Sequence, residues 1–207
     1  MTIIDLTHEL NNQTPVYPGS GDLPAHFEQA ASVEKNGYAS SNVTMGLHVG
    51  THIDTPAHMV QNGRTIDMVP LEQLCCPAYV LDARNCSIID EDLIEPVMCH
   101  PASALLICTG FDSFYGKPEY FTKHPVLTEK AVNVIIKKKF GLIGLDMPSP
   151  DRFPFMLHKQ LFAHNILIAE NLMQLDTLIG KSNIMLYALP LKCKTDAAPA
   201  RIIAIIP

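Results

Sequence analysis

Apolar residues fall in two regimes along the 207-residue chain. In the second half they come as short unbroken runs at 104–109, 142–146, 166–169, 184–189 and 201–206. Runs of this length without polar alternation predict strands buried on both faces. A 3.6-residue stripe of Ala131, Val134, Ile135 and Lys138 between two of them predicts a helix over 129–140, capped by Thr128 and stopped by Gly141. A shorter helix fits 154–164, and Asp90 is placed to cap another, with Glu91 and Asp92 in its first turn. The first half is mostly extended. Residues 2–7 read as a strand, and 39–49 alternate Val43, Met45 and Leu47 with Asn42, Thr44 and Gly46. Asn62-Gly63 marks a turn and 79–82 a short strand. A loop rich in Pro and Gly spans 11–24, a length that goes with function or disorder. With no repeat or linker, the pattern predicts one domain over 1–207, α/β or mixed α+β, with a central mixed sheet flanked by helices.

Composition narrows the class. Hydrophobic residues make up 47% and charged residues 17%, enough for a sizeable core and against disorder. A formal charge of −6 argues against nucleic acid as a partner. The one basic run, Lys137-Lys138-Lys139, suits the last turn of a helix. Six cysteines without a C-x-x-C read as reduced thiols, with Cys108 in the core. The N-terminal residues lack the basic and apolar regions of a signal peptide, and no run reaches the ~20 apolar residues of a membrane span. A cytoplasmic location without membrane contact is the expectation.

The chemistry concentrates in His48-Val49-Gly50-Thr51-His52-Ile53-Asp54-Thr55-Pro56-Ala57-His58. His48 and His52 would share a face of a helix, but Gly50, Pro56 and the β-branched residues between them oppose one. A straight strand fails as well, because four residues span roughly 13 Å at about 3.3 Å each. Two imidazoles on one Zn²⁺ each bind at about 2.0–2.1 Å. The chain must therefore bend between them, and Gly50 is the residue that permits it. His52 and Asp54, two apart, point the same way on an extended segment.

Two further residues sit where α/β folds collect ligands, at strand ends. Glu170 ends an apolar strand, where a carboxylate is costly unless paired or bound to a cation. His158 lies twelve residues earlier, on the expected short helix. His8, His26, His100, His124 and His164 have no partner in sequence. Asp146 and Asp151 are candidates to line the site, with turn and capping roles the stronger reading, and Tyr17 reads as either a pocket wall or a packed loop aromatic.

The stretch from His48 to His58 resembles the H-x-G-T-H-x-D-x-P-x-H signature of the cyclase family of metal-dependent hydrolases, which includes bacterial kynurenine formamidase and isatin hydrolase. Similar blocks follow along almost the whole chain: Tyr17-Pro18-Gly19, Leu81-Asp82-Ala83-Arg84, Thr109-Gly110-Phe111, residues 144–151, His158 through Glu170-Asn171-Leu172, and Ala198-Pro199-Ala200-Arg201. The resemblance implies a swivelling β/β/α-type domain, assembled as a homodimer or homotetramer, and a formamidase role in tryptophan catabolism. It implies His48, His52 and Asp54 as ligands of one ion. Asp54 would bridge to a second ion on His158 and Glu170, and His58 would transfer protons. Zinc is the usual metal, and a single manganese on the first three ligands occurs in relatives. Tyr17 stands where kynurenine formamidases have a substrate-stacking Trp.

The expected reaction is hydrolysis of a small amide, formamide or lactam. A metal on His48, His52 and Asp54 keeps open positions and lowers the pKa of its water toward about 7, and His58 moves the proton. Isatin-type ring opening and dehydrating cyclisation use the same groups. A non-catalytic metal- or ligand-binding protein is the rival from another class, but the ligand set exceeds the four that a closed structural site needs.

Overall fold

The computed structural model describes all 207 residues. The strands are β1 (Thr2–Asp5), β2 (His26–Ala31), β3 (Ser40–Thr44), β4 (His52–Asp54), β5 (Cys75–Asp82), β6 (Ile88–Ile89), β7 (Ala104–Cys108), β8 (Val126–Leu127), β9 (Leu142–Leu145), β10 (Leu167–Glu170), β11 (Ile184–Pro190) and β12 (Ala197–Ile206). The helices are α1 (Val33–Asn36), α2 (Leu71–Leu74), α3 (Glu91–Ile94), α4 (Pro118–Thr122), α5 (Glu129–Lys137) and α6 (Met156–Ala163).

The central sheet is mixed, as its pattern predicts, but it is not open. It runs β1-β12-β11-β5-β7-β9-β10-β4, and β4 pairs again with β12. Seven strands therefore close into a barrel. The apolar runs of β5, β7, β9 and β10 lie parallel to one another, and the remaining pairs of this sheet are antiparallel. Closure depends on the long β12. Its first residues, Ala197 to Pro199, pair with β4, and residues 203–205 pair with both β1 and β11. Closing a sheet also removes the exposed edges that parallel strands would otherwise present.

Strand alternation sorts the core into two clusters. Ala104, Leu106 and Cys108 of β7 face the barrel interior with Ile53, Leu142, Ala169, Leu186 and Ala198. Leu105 and Ile107 face outward, with Ile143, Leu145 and Ile168, against Val132 and Ile135 of α5 and Leu161 and Phe162 of α6. All five residues of β7 are buried because both faces are covered. Gly144 of β9 has no room for a side chain, since a Cβ there would lie 2.6 Å from Leu106 Cδ2 and 2.8 Å from Leu172 Cδ1. Gly144→Ala is accordingly expected to destabilise the barrel by about 1–3 kcal/mol through overpacking, measurable as a lower urea midpoint at unchanged m-value.

Several boundaries move for identifiable reasons. The strand expected at 79–82 starts at Cys75, because its first half pairs antiparallel with β11 and its second half parallel with β7. The helix expected over 129–140 ends at Lys137, with Thr128 Oγ1 accepting from Ala131 N at 3.1 Å. The left-handed residue after it is Lys139 (φ 61°), not Gly141. Lys139 O is already tied to Ala102 N at 2.8 Å, so the chain turns there. The extended segment expected over 39–49 forms a strand only to Thr44, in an exposed β2–β3 hairpin, and turns at 47–51.

Candidate metal centre

The bend that the histidine spacing demands is present at Gly50, whose φ is 74°. The Gly50 carbonyl accepts from His52 Nδ1 and from Asn171 Nδ2, each at 2.9 Å. Asn171 is itself buried, its Oδ1 accepting from Tyr120 Oη at 2.9 Å. The turn between the two histidines is thus held by side chains from distant parts of the chain.

The strand that closes the barrel presents the site. Ile53 points into the barrel, so His52 and Asp54 point to the opposite face, where α6 packs. Glu170 lies directly across from His52 in the β10–β4 register. Asp54 Oδ1 is 2.8 Å from His48 Nδ1 and 3.2 Å from His52 Nε2. Glu170 Oε2 is 3.6 Å from His52 Nε2, and its Oε1 is 3.3 Å from His158 Nε2. Two triads of donors have ligand atoms within 4.8 Å of one another, His48–Asp54–His58 and His52–Asp54–Glu170. Asp54 belongs to both.

The donors fit a divalent cation. Ligand atoms about 2.1 Å from one tetrahedral ion lie about 3.4 Å apart, close to the separations here. His52 Nδ1 donates to a carbonyl, which can only accept, so the neutral ring keeps its lone pair on Nε2. That Nε2 and Asp54 Oδ1 are buried without hydrogen-bond partners. His158 Nδ1 lies 2.5 Å from Asp151 Oδ1, which leaves Nε2 toward Glu170. Asp151 holds this arrangement through its other oxygen, which accepts from Leu157 N at 2.7 Å. Electron pairs facing each other in a buried pocket require a proton or a cation between them.

Without a cation, protons take that place. Burial favours a neutral His48, but Asp54 and Asp196 outweigh it and push its pKa up to about 10. Burial is likewise outweighed at His158, where Asp151 and Glu170 raise the value to about 9. Asp54 is held well below the usual carboxylate range by His52 and His48, against the effect of its burial. Cation uptake therefore competes with protons at these histidines.

His58 follows Pro56 on a short 3₁₀ turn, with its N–H donating to Thr55 O at 2.9 Å. Its ring centroid is 4.2 Å from that of His48 and 6.5 Å from that of His158. The carboxylate beside it is Asp196, a residue that sequence reasoning did not single out. Asp196 Oδ2 stands 3.2 Å from His58 Nδ1 and 3.0 Å from His48 Nε2. Asp151 was legible as a candidate to line the site, but a turn or capping role was the stronger reading. It does accept from a helical N–H, but its larger part is orienting His158. The signal available for both was a carboxylate near a block of the family pattern.

The centre opens into a cleft of about 810 Å³. Tyr17 lines it, with its ring 5.5 Å from Phe121 and 6.3 Å from Phe155, both edge-on. Among the histidines without a predicted role, His124 is buried beside Arg152, and burial with that neighbouring cation lowers its pKa to about 4. The unfolded chain then binds a proton that the folded one refuses, between about 6.5 and about 4. Stability supplied by neutral His124 is complete above about 6.5 and is lost on descending through that window, at up to about 1.4 kcal/mol per pH unit. His124→Asn should flatten the pH dependence of the urea midpoint there, and an unchanged slope would rule this account out.

Three comparisons bear on this geometry. The model of the Cyclase family matches residues 4–152. The chain is 33% identical over 204 residues to kynurenine formamidase from Bacillus cereus, covering 96% of this chain and 94% of that one. A crystal structure of an isatin hydrolase bound to the product analogue thioisatinate superposes with a TM-score of 0.90 at 23% identity, over 99% and 92% of the two chains. A structure described as a potential metal-dependent hydrolase with cyclase activity superposes with a TM-score of 0.81 at 27% identity, over 98% and 96%.

Proposed function

The chain belongs to the cyclase family and is a metal-dependent hydrolase of non-peptide C–N bonds, and from that premise we propose that its substrate is a small aryl formamide of the N-formylkynurenine kind. The supporting observation is the cluster in which Asp54 Oδ1 stands 2.8 Å from His48 Nδ1 and 3.2 Å from His52 Nε2 while Glu170 Oε1 stands 3.3 Å from His158 Nε2, beside a cleft lined by Tyr17, Phe121 and Phe155. His48, His52 and Asp54 would hold one divalent cation, and His158 and Glu170, with Asp54 shared, a second. Zinc suits the set best and manganese is the alternative.

A bound cation supplies acidified water and polarisation of the substrate carbonyl. The protein's own groups do the rest. Tyr17 and Phe155 present ring faces and edges that orient the aryl group. His58 accepts a proton from the attacking water and returns it to the departing amine nitrogen, so a C–O bond forms as the C–N bond breaks. Asp151 and the Gly50 carbonyl fix the rings of His158 and His52, so that no ligand must reorient during turnover. The reading also takes the enzyme to be a homodimer or homotetramer in the cytoplasm. All six cysteines are free thiols, and no helix is long and apolar enough to cross a membrane.

The test is elemental analysis of purified protein, followed by assays on N-formylkynurenine and isatin. Bound zinc or manganese, formamide turnover, and its loss to a chelator with the fold intact are the expected results. Turnover of isatin alone would reassign the substrate to a cyclic amide. Hydrolysis indifferent to chelation would overturn the site.

A further inference from the structure

We propose that Asp196 is the positioning residue for both His48 and His58, so that one carboxylate couples the metal ligand to the proton-transferring base. The inference rests on the hydrolase reading above for the role of His58, and on geometry for the rest.

One oxygen, Asp196 Oδ2, lies within hydrogen-bond distance of His48 Nε2 (3.0 Å) and His58 Nδ1 (3.2 Å). A carboxylate only accepts, so each of those nitrogens must carry a proton. That single requirement has two consequences. On His48 it leaves Nδ1 as the lone-pair nitrogen, and Nδ1 is the one 2.8 Å from Asp54 Oδ1. On His58 it leaves Nε2 as the basic nitrogen. The same carboxylate therefore sets the tautomer of a ligand and of the base. Orientation of ligating histidines by an outer carboxylate is a general device of metal sites; here one such group serves two rings with different tasks.

The backbone holds Asp196 in place. Its carbonyl accepts from Thr55 N at 2.9 Å and from Thr55 Oγ1 at 2.8 Å. Thr55 is fully buried and sits between Asp54 and the turn that carries His58. The next residue, Ala197, is paired with Asp54 in the β12–β4 ladder. Asp196 is thus fixed at the seam where the barrel closes, from the strand opposite the ligands. Its side chain is 42% exposed and makes no other hydrogen bond, so neither the core nor strand pairing depends on it.

Two variants test this, Asp196→Ala and Asp196→Asn, each in zinc-loaded and metal-free protein. The Asn variant keeps an acceptor oxygen that can face one ring or both. For Asp196→Ala the expected result is a kcat reduced by about 10²-fold or more, with KM within about threefold of wild type. Zinc affinity should fall about 10- to 100-fold. Nitrogen-15 NMR of zinc-loaded wild type should show His58 as a single Nδ1–H tautomer and Asp196→Ala as a mixture. Asp196→Asn should lie between wild type and Asp196→Ala on each readout. An unchanged His58 tautomer with unchanged zinc affinity in Asp196→Ala would overturn the proposal. So would equal damage by both variants traced to a lowered melting temperature, which would mean a structural role. If the wild type hydrolyses no amide, the substrate reading fails, while the tautomer and affinity measurements still decide the role of Asp196.

Discussion

Asp54→Asn is expected to strip bound metal and turnover together, with turnover falling about 10³-fold or more. In the proposed assignment Asp54 is the one ligand common to both ions, so its loss cannot be confined to one of them. Its Oδ1 is buried without a hydrogen-bond partner, 2.8 Å from one histidine and 3.2 Å from the next. The amide offers at best one neutral oxygen to that point, and its NH₂ cannot serve as a ligand. A cation's stabilisation of developing negative charge is worth several kcal/mol, and each 1.36 kcal/mol is tenfold in rate. The β4 pairings with β10 and β12 are backbone ladders, so the variant should fold. Elemental analysis beside a circular dichroism spectrum checks both halves of the expectation. Full metal content in a folded Asp54→Asn protein would refute the shared-carboxylate geometry.

How much of this was legible in sequence depends on the range of the interaction. The bend at Gly50 was legible because spacing alone forbids helix and straight strand, and it is a local property. The same face for His52 and Asp54 followed from a period of two. The buried character of β7, β9 and β10 followed from their unbroken apolar runs. Closure of the barrel was not legible. It rests on β12 pairing with β4 across more than 140 residues, and no periodicity reports which distant strand supplies the last ladder. Asp196 was missed for the same reason, since it reaches His48 and His58 only because that ladder forms. Asp151 was seven residues from His158 and still read as a turn former, because the helix that returns His158 to it starts between them. His158 and Glu170 were weak individually. The β10–β4 register that sets Glu170 against His52, and the α6 packing that brings His158 over, turn two isolated residues into one half of a centre.

His58→Ala separates the base from the ligands. Its ring lies close enough to His48 and Asp54 to complete a donor triad, so distance alone allows either role. Two features favour proton transfer. Its side chain is 27% exposed, against 19% for His48 and 2% for His52 and Asp54, so it is the most open of the four to the cleft. His48, His52, Asp54, His158 and Glu170 already fill the coordination that one or two ions need from protein while keeping open positions. The variant is therefore expected to lose about 10²- to 10⁴-fold in kcat while elemental analysis shows metal content equal to wild type. Removing the ring opens space on the cleft side, so added imidazole should restore part of the lost rate. Retained metal with imidazole rescue identifies a proton carrier. Metal lost in proportion to activity, with no rescue, would make His58 a ligand and move the proton transfer to another group.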